Sequence, residues 1–356
     1  MLLDVNATAQ AIAAVQAPDG SIPHWPGHHA DPWNHVEAVM ALDVAGLHEP
    51  ARRGYRWLSS IQRSDGAWAG AYMGEVITDP TLDANFCAYI ATGVWHHYLA
   101  SGDVDLMDEM WPVVDRAMGF VLGLQTSDGH VLWARDERYR AAPFGLVTSS
   151  ACIYLSLRCA IAISNAVGDL RPDWDLALDV LGDALRHKEE AFEPKARFSM
   201  DWYYPVLTGA IEGDAALERL RSRWDEFVID GKGCRCVSDK PWVTTGETAE
   251  LVLALDVVGL TEEAETMLGW LRHLRADDGA YWMGATQPDG TIWPQHKPTW
   301  GSGSVVLAAD ALDRTTATSG LFRGETFAPG YSVFSSTRKL PVAEISSNDP
   351  EPNAAL

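Results

Sequence analysis

Apolar and amphipathic helical segments alternate along the chain, and every long loop falls between an amphipathic segment and the apolar one that follows it. The amphipathic or charged segments are 5–16, 50–62, 103–125, 173–192, 214–227 and 261–275. Their apolar counterparts are 33–47, 82–99, 146–167, a short one at 206–211, one opening at Glu247, and 304–312. The stretch 239–258 shows the design most plainly. A polar, aromatic loop with Trp242 and Thr244-Thr245-Gly246 turns at Glu247 into a run broken only by Asp256. A helix that apolar on most faces is buried on most faces. Twelve helices alternating in this way predict an all-α (α/α)6 toroid, with six inner helices, six amphipathic ones around them, and the long loops gathered at the N-terminal ends of the inner set. A solenoid of stacked helix pairs fits the alternation too. Loops this long and aromatic on one rim favour closure around a cleft.

The toroid is expected over 1–314. The remainder, 315–356, lacks helical periodicity, and its end, 346–356, reads as disordered. A net charge of −22 disfavours nucleic acid and anionic membrane as partners, because polyanions are repelled. Five cysteines, an odd number set partly in apolar helical patterns, and no basic region at the N-terminus predict a cytoplasmic protein with reduced thiols. The segment 141–167 is apolar enough to test as a membrane span, but Thr148, Ser149, Ser150 and Arg158 interrupt it. His24, His28, His29 and His35 invite a metal reading. No cysteine pair with zinc spacing accompanies them, so neither metal nor cofactor is expected.

The rim loops are rich in aromatic side chains and carboxylates. Trp25, Trp68, Tyr72, Trp202, Tyr203, Trp242, Trp282 and Trp300, with His35, Asp79 and Asp201, are the residues expected to contact a ligand. Flat aromatic faces beside hydrogen-bonding carboxylates suit a neutral polyhydroxylated ligand, a sugar having an apolar face and a polar edge. Glycoside hydrolysis commonly needs two carboxyl groups, one giving a proton to the leaving oxygen and one acting as base or nucleophile. Glu247, at the mouth of a buried helix, and Asp31, before Pro32 among Trp25, His28, His29, Trp33 and His35, are the catalytic candidates. The bland alternatives are a first-turn acid favoured by the helix dipole and an N-cap.

Gln62-Arg-Ser-Asp-Gly-Ala-Trp68 matches the Q-x-x-D-G-x-W repeat of squalene-cyclase-like and prenyltransferase-like toroids. The Asp-x-Asp-Asp acid of the cyclases is missing, since Asp103-Val-Asp105 is followed by Leu106, and the zinc set of the protein prenyltransferases has no counterpart. Asp-Gly-aromatic turns therefore mark the fold rather than the reaction. The segment 100–117 resembles glucoamylase-type toroids. The widest resemblance covers nearly all of 1–314, through Phe198-Ser-Met-Asp-Trp-Tyr-Tyr-Pro-Val-Leu207, Cys236-Val-Ser-Asp-Lys-Pro-Trp-Val243 and Trp293-Pro-Gln-His-Lys-Pro-Thr-Trp300. These segments are similar to the methylmannose polysaccharide hydrolases of mycobacteria and related actinobacteria. That resemblance implies internal cleavage of α-1,4-linked, 3-O-methylated mannose chains, with an early rim Asp and a late rim Glu at work; Asp31 and Glu247 match those positions. The expected ligand is a neutral methylated oligosaccharide. The rival expectations are a terpenoid cyclase or prenyltransferase, and a toroid that binds carbohydrate without cutting it. Oligomeric state is left open.

Overall fold

The computed structural model describes residues 3–327. Its helices are Val5–Ala13 (α1), Pro32–Val44 (α2), His48–Ile61 (α3), Ala84–Ser101 (α4), Val104–Leu122 (α5), Val147–Val167 (α6), Pro172–His187 (α7), Met200–Leu207 (α8), Gly213–Ser222 (α9), the single turn Trp224–Phe227 (α10), Thr245–Val257 (α11), Thr261–Trp270 (α12) and Thr299–Asp313 (α13). Helices α2, α4, α6, α8, α11 and α13 pack each on the next, and α13 packs back on α2. That last contact closes the ring, so the toroid holds and the solenoid does not. The six outer helices α1, α3, α5, α7, α9 and α12 lie against them. Twelve of the thirteen residues of α11 are buried, whereas α3 buries one stripe, Ala51, Gly54, Tyr55, Trp57 and Leu58. Helix α6 has the length and hydropathy of a membrane span, yet 72% of its most apolar window is buried inside the ring. It is a core helix.

The Gln-x-x-Asp-Gly repeat is a clasp between outer helices. Gln16 Nε2 donates to the Gly20 and Pro50 carbonyls, Gln62 Nε2 to Gly66 and Val113, and Gln125 Nε2 to Gly129 and Ala177, all at 2.9–3.0 Å. Each bond pair joins the end of one outer helix to the body of the next. Gly66 has φ +87°, and a Cβ there would stand 2.1 Å from the Arg116 carbonyl oxygen, so only glycine fits. After α12, Gly279 meets Ala7 of α1 in the same way and Arg275 takes the glutamine's place, closing the outer ring.

Two boundaries differ from the sequence expectation. Residues 200–205, expected in a loop before a helix at 206–211, form most of α8, while 208–211 are turn. Pro205 reads as a helix breaker because it withholds the N–H that the Asp201 carbonyl would accept. Arg219 supplies that bond instead, Nη2 donating to Asp201 O at 2.7 Å and Nε to Trp202 O at 2.8 Å. Helix α13 begins at Thr299, not 304. Its Gly and Ser residues look like loop, but Gly303 is where α13 crosses α2, a Cβ there falling 3.0 Å from the Glu37 carbonyl oxygen.

Four two-stranded ribbons shape the loops: Ala71–Met73 with Val76–Asp79, Leu82–Asp83 with Ala134–Arg135, Val228–Ile229 with Gly233–Cys234, and Trp242–Thr244 with Gly284–Thr286. Residues 315–327 contain no helix. Leu321 and Phe322 nevertheless join the ring's core, and Arg323 pairs with Asp256 of α11. The expected disorder at 346–356 lies outside the described residues.

Candidate active site

Glu37, Tyr89, Cys152, Tyr204, Glu250 and Phe322 enclose a cavity of about 10 Å³, room for at most about one water. The long loops gather on the rim where the inner helices begin. Polar side chains stand at these mouths. Asp31 caps α2, its Oδ1 accepting from the Asn34 N–H at 2.9 Å and its Oδ2 from Asn34 Nδ2 at 2.6 Å, with His24 Nε2 also on Oδ2. Asp83 caps α4 and takes the Trp133 indole N–H as well; burial pushes its carboxyl up to about 6, and the field of Asp31 adds to this. Helix α6 has no cap of its own, and Asp201 reaches across from α8 to accept from the Thr148 N–H and hydroxyl.

Glu247 occupies the first turn of α11 and is 6% exposed. Its neighbours are the Cys236 thiol, Cys234, Tyr203 and Glu250, and burial beside it holds the Cys236 thiol far above the usual range. Gly246 beside it leaves room for Trp300, whose ring lies where a Cβ would be. Asp31 and Glu247 thus stand at the mouths of α2 and α11, flanking the start of α13.

The expected ligand residues separate into two groups. Trp25, Trp242, Trp282 and Trp300 stay partly exposed on the rim. Trp242 sets its ring edge to face with the exposed Trp293, 5.3 Å between centroids, and donates Nε1 to the Trp293 carbonyl. Trp25 lies flat between His28 and His296 and borders a groove of about 730 Å³ that runs past Lys297 to α1. Asp79 is exposed and caps its own turn at Thr81. Asp201 faces a separate cavity with Trp202 and Arg219, which neither Asp31 nor Glu247 lines.

Five of the residues expected to touch ligand are buried, with their polar atoms bonded inside the protein. His35 is wholly buried, accepting from the Ile22 N–H and contacting the Gly54 carbonyl, so burial drives its pKa down to about 4. Trp68, 1% exposed, donates to the Leu58 carbonyl, and Trp202, 2% exposed, to that of Arg219. Tyr203 gives its hydroxyl to Glu250, and the buried Tyr72 oxygen accepts from the Ala69 N–H. Each ring is buried in the wall, where its polar atom finds an internal partner.

Sequence reasoning passed over Asn34, which with His24 holds Asp31, and Glu37. A lone Glu in an otherwise apolar helix was the available signal for Glu37. Its carboxyl accepts from Tyr89 and burial raises it to about 7; Glu250, with both oxygens on tyrosine hydroxyls, is pushed well above its ordinary value by burial and then by Glu37.

Over 319 residues the sequence is 49% identical to the MMP endo-(1,4)-3-O-methyl-α-D-mannosidase of Mycolicibacterium hassiacum, covering 89% of this chain and 88% of that protein. An uncharacterized glycosyl hydrolase of Methanocaldococcus jannaschii is 27% identical over 149 residues, 40% of this chain and 23% of its own length. No family model matches. Among solved structures, a wild-type glycosidase superposes with a TM-score of 0.69 at 14% identity, covering 88% of this chain and 97% of its own. A mannosylglycerate hydrolase from Thermus thermophilus does so at 0.69 and 12%, over 85% and 99%. A D-mannose isomerase reaches 0.66 at 10%, over 90% and 96%. At such identities these likenesses show the toroid alone, a fold that carries both hydrolysis and isomerisation.

Proposed function

The chain belongs to the family of the MMP endo-(1,4)-3-O-methyl-α-D-mannosidases, and from that premise we propose how its rim carries out the reaction. It is a glycoside hydrolase that cleaves internal α-1,4-mannosidic bonds of 3-O-methylated mannose chains. The observation that carries this reading is the 49% identity along nine-tenths of both proteins. The cyclase and prenyltransferase alternatives lack both their acid motif and any such relative.

Glu247 is the general acid, giving its proton to the oxygen of the departing sugar, and Asp31 is the second carboxylate, acting on the anomeric carbon or on the attacking water. Asn34 and His24 fix the Asp31 carboxylate in one orientation, which supports a positioned reactant. Trp25, Trp242, Trp282 and Trp300 provide the stacking faces, and methyl ethers make the ligand more apolar than plain mannan, which favours them. The −22 charge fits a neutral substrate, and the five free cysteines fit a cytoplasmic setting.

The test is mass spectrometry of the purified protein with 3-O-methylated α-1,4-mannooligosaccharides, alongside unmethylated mannan, starch and isoprenyl diphosphates. Internal cleavage of the methylated chain alone is the expected result. A methylated chain that binds and stays whole, or turnover of an isoprenoid, overturns the reading.

A further inference from the structure

Three histidines excluded as ligands on sequence spacing come together in space. The side chains of His24, His28 and His29 each offer a ring nitrogen, and these nitrogens lie within 4.8 Å of one another. The loop that carries them is closed on itself, the His24 N–H donating to the His29 carbonyl at 2.9 Å and the His28 N–H to that of Trp25 at 3.0 Å. Ring centroids are 4.2 Å apart for His24 and His29 and 4.3 Å for His28 and His29. Trp25 holds His28 by stacking on it at 3.9 Å.

We infer that His24, His28 and His29 form a site for one divalent transition-metal ion of the zinc class, with Asp31 as its outer carboxylate. Imidazole suits such ions, and three nitrogens with an open fourth position is a known zinc donor set. His28 Nδ1 is buried and has no hydrogen-bond partner, a free position that a metal ion would satisfy. His24 meets the Asp31 carboxylate and the Asn34 side-chain amide through Nε2, so a metal ion would take its Nδ1. A ligating histidine commonly donates its other ring N–H to a carboxylate, and Asp31 is in that position. Among the described residues the other cluster of this kind, Asp43 with His48 and His97, is already tied together by hydrogen bonds between the His97 and His48 rings and the Asp43 carboxylate.

The consequence for catalysis rests on the role proposed for Asp31. A doubly charged ion one imidazole away opposes the positive charge that develops on the sugar ring. Filling the site therefore slows hydrolysis. The experiment is isothermal titration of zinc into the chelator-treated full chain, with wild type, His28→Ala, His29→Gln and Asp31→Asn in parallel, and hydrolysis rates read across the same zinc range. One ion per chain with micromolar affinity is expected for wild type. Each histidine variant should weaken binding at least tenfold, and Asp31→Asn by roughly 10–100-fold. Hydrolysis should fall with the midpoint of the binding curve, and His28→Ala should shift that midpoint. Unchanged zinc affinity in both histidine variants overturns the site and points to the cysteines instead. Binding without any loss of rate overturns its link to Asp31. The titration stands apart from the assay, so a chain that binds zinc as expected but leaves methylmannan whole counts against the proposed function and not against the site.

Discussion

Tyr203 donates its hydroxyl to Glu250 Oε2 at 2.5 Å, one helical turn beneath Glu247 on α11, while Tyr204 takes the other oxygen at 2.7 Å. Two adjacent tyrosines of α8 thus clamp the turn that carries the candidate acid. Glu250→Ala leaves both hydroxyls without partners in a closed interior and should lower stability by about 2–5 kcal/mol. Glu250→Gln keeps one acceptor and should cost less. Chemical denaturation of both variants checks this, and equal losses would show that the tyrosines are not held by that carboxyl.

Glu247→Gln and Asp31→Asn should each reduce the rate on methylated mannooligosaccharide by about 10²–10⁴-fold or more. The melting temperature of Glu247→Gln should stay near wild type, because Glu247 makes no salt bridge among the described residues. Asp31→Asn should also lose some stability, since Asp31 caps α2. Wild-type turnover in Glu247→Gln would remove it from the acid role.

Glu37 predicts a pH dependence of stability. Its carboxyl ionises near 4.5 in an unfolded chain and about 7 in the fold, burial being the cause. As pH rises past the lower value, the unfolded chain releases this proton while the folded one keeps it, so stability drains away until the folded value is reached. In Glu37→Gln that contribution is absent, and Tyr89 still has an oxygen to donate to. Urea titrations should show the variant gaining on wild type between pH 4.5 and 7 and running parallel above. A constant difference across that window would mean Glu37 is ionised in the fold.

Trp242 and Trp68 should respond oppositely to alanine. Trp242 is partly exposed on the rim, and its loss should raise KM for the oligosaccharide with little change in melting temperature. Trp68 is 1% exposed, and Trp68→Ala should cost about 3–5 kcal/mol of stability. Kinetics and thermal melts on the two proteins separate a binding surface from a wall.

The clasp predicts a purely mechanical phenotype. Gln62→Ala removes the bond to the Val113 carbonyl of α5 and those its Oε1 accepts from Arg116 of α5, with the turn bond to Gly66, and should cost about 1–3 kcal/mol. At a temperature where the variant remains folded, its kcat should match wild type. A specific loss of kcat would give the repeat a part in the chemistry.

The closed ring of helices was legible because burial on every face leaves its mark on every position. Helix α11 is apolar all round, α3 is striped, and the alternation of such segments has few packing solutions. The repeated Gln-x-x-Asp-Gly was also visible as fold rather than reaction, although its bonds to the next outer helix were not. Local signals misplaced the starts of α8 and α13. Pro205 is tolerated only because Arg219, from another helix, takes over the carbonyl it strands, and the glycines of α13 mark a helix crossing and not a loop. The aromatic residues were the least readable. Composition marks Trp25, Trp68, Trp202 and Trp242 alike as rim candidates, and which of them stays exposed depends on what packs over the ring, since the indole N–H of Trp242 finds a carbonyl just as those of Trp68 and Trp202 do. The sequence by itself determined the helices, their alternation and the residue types gathered at one end. Only the tertiary structure decided which rings became wall, that Glu37 and Glu250 share one buried space, and that three histidines converge beside Asp31, because each depends on segments far apart in the chain being brought within hydrogen-bond range.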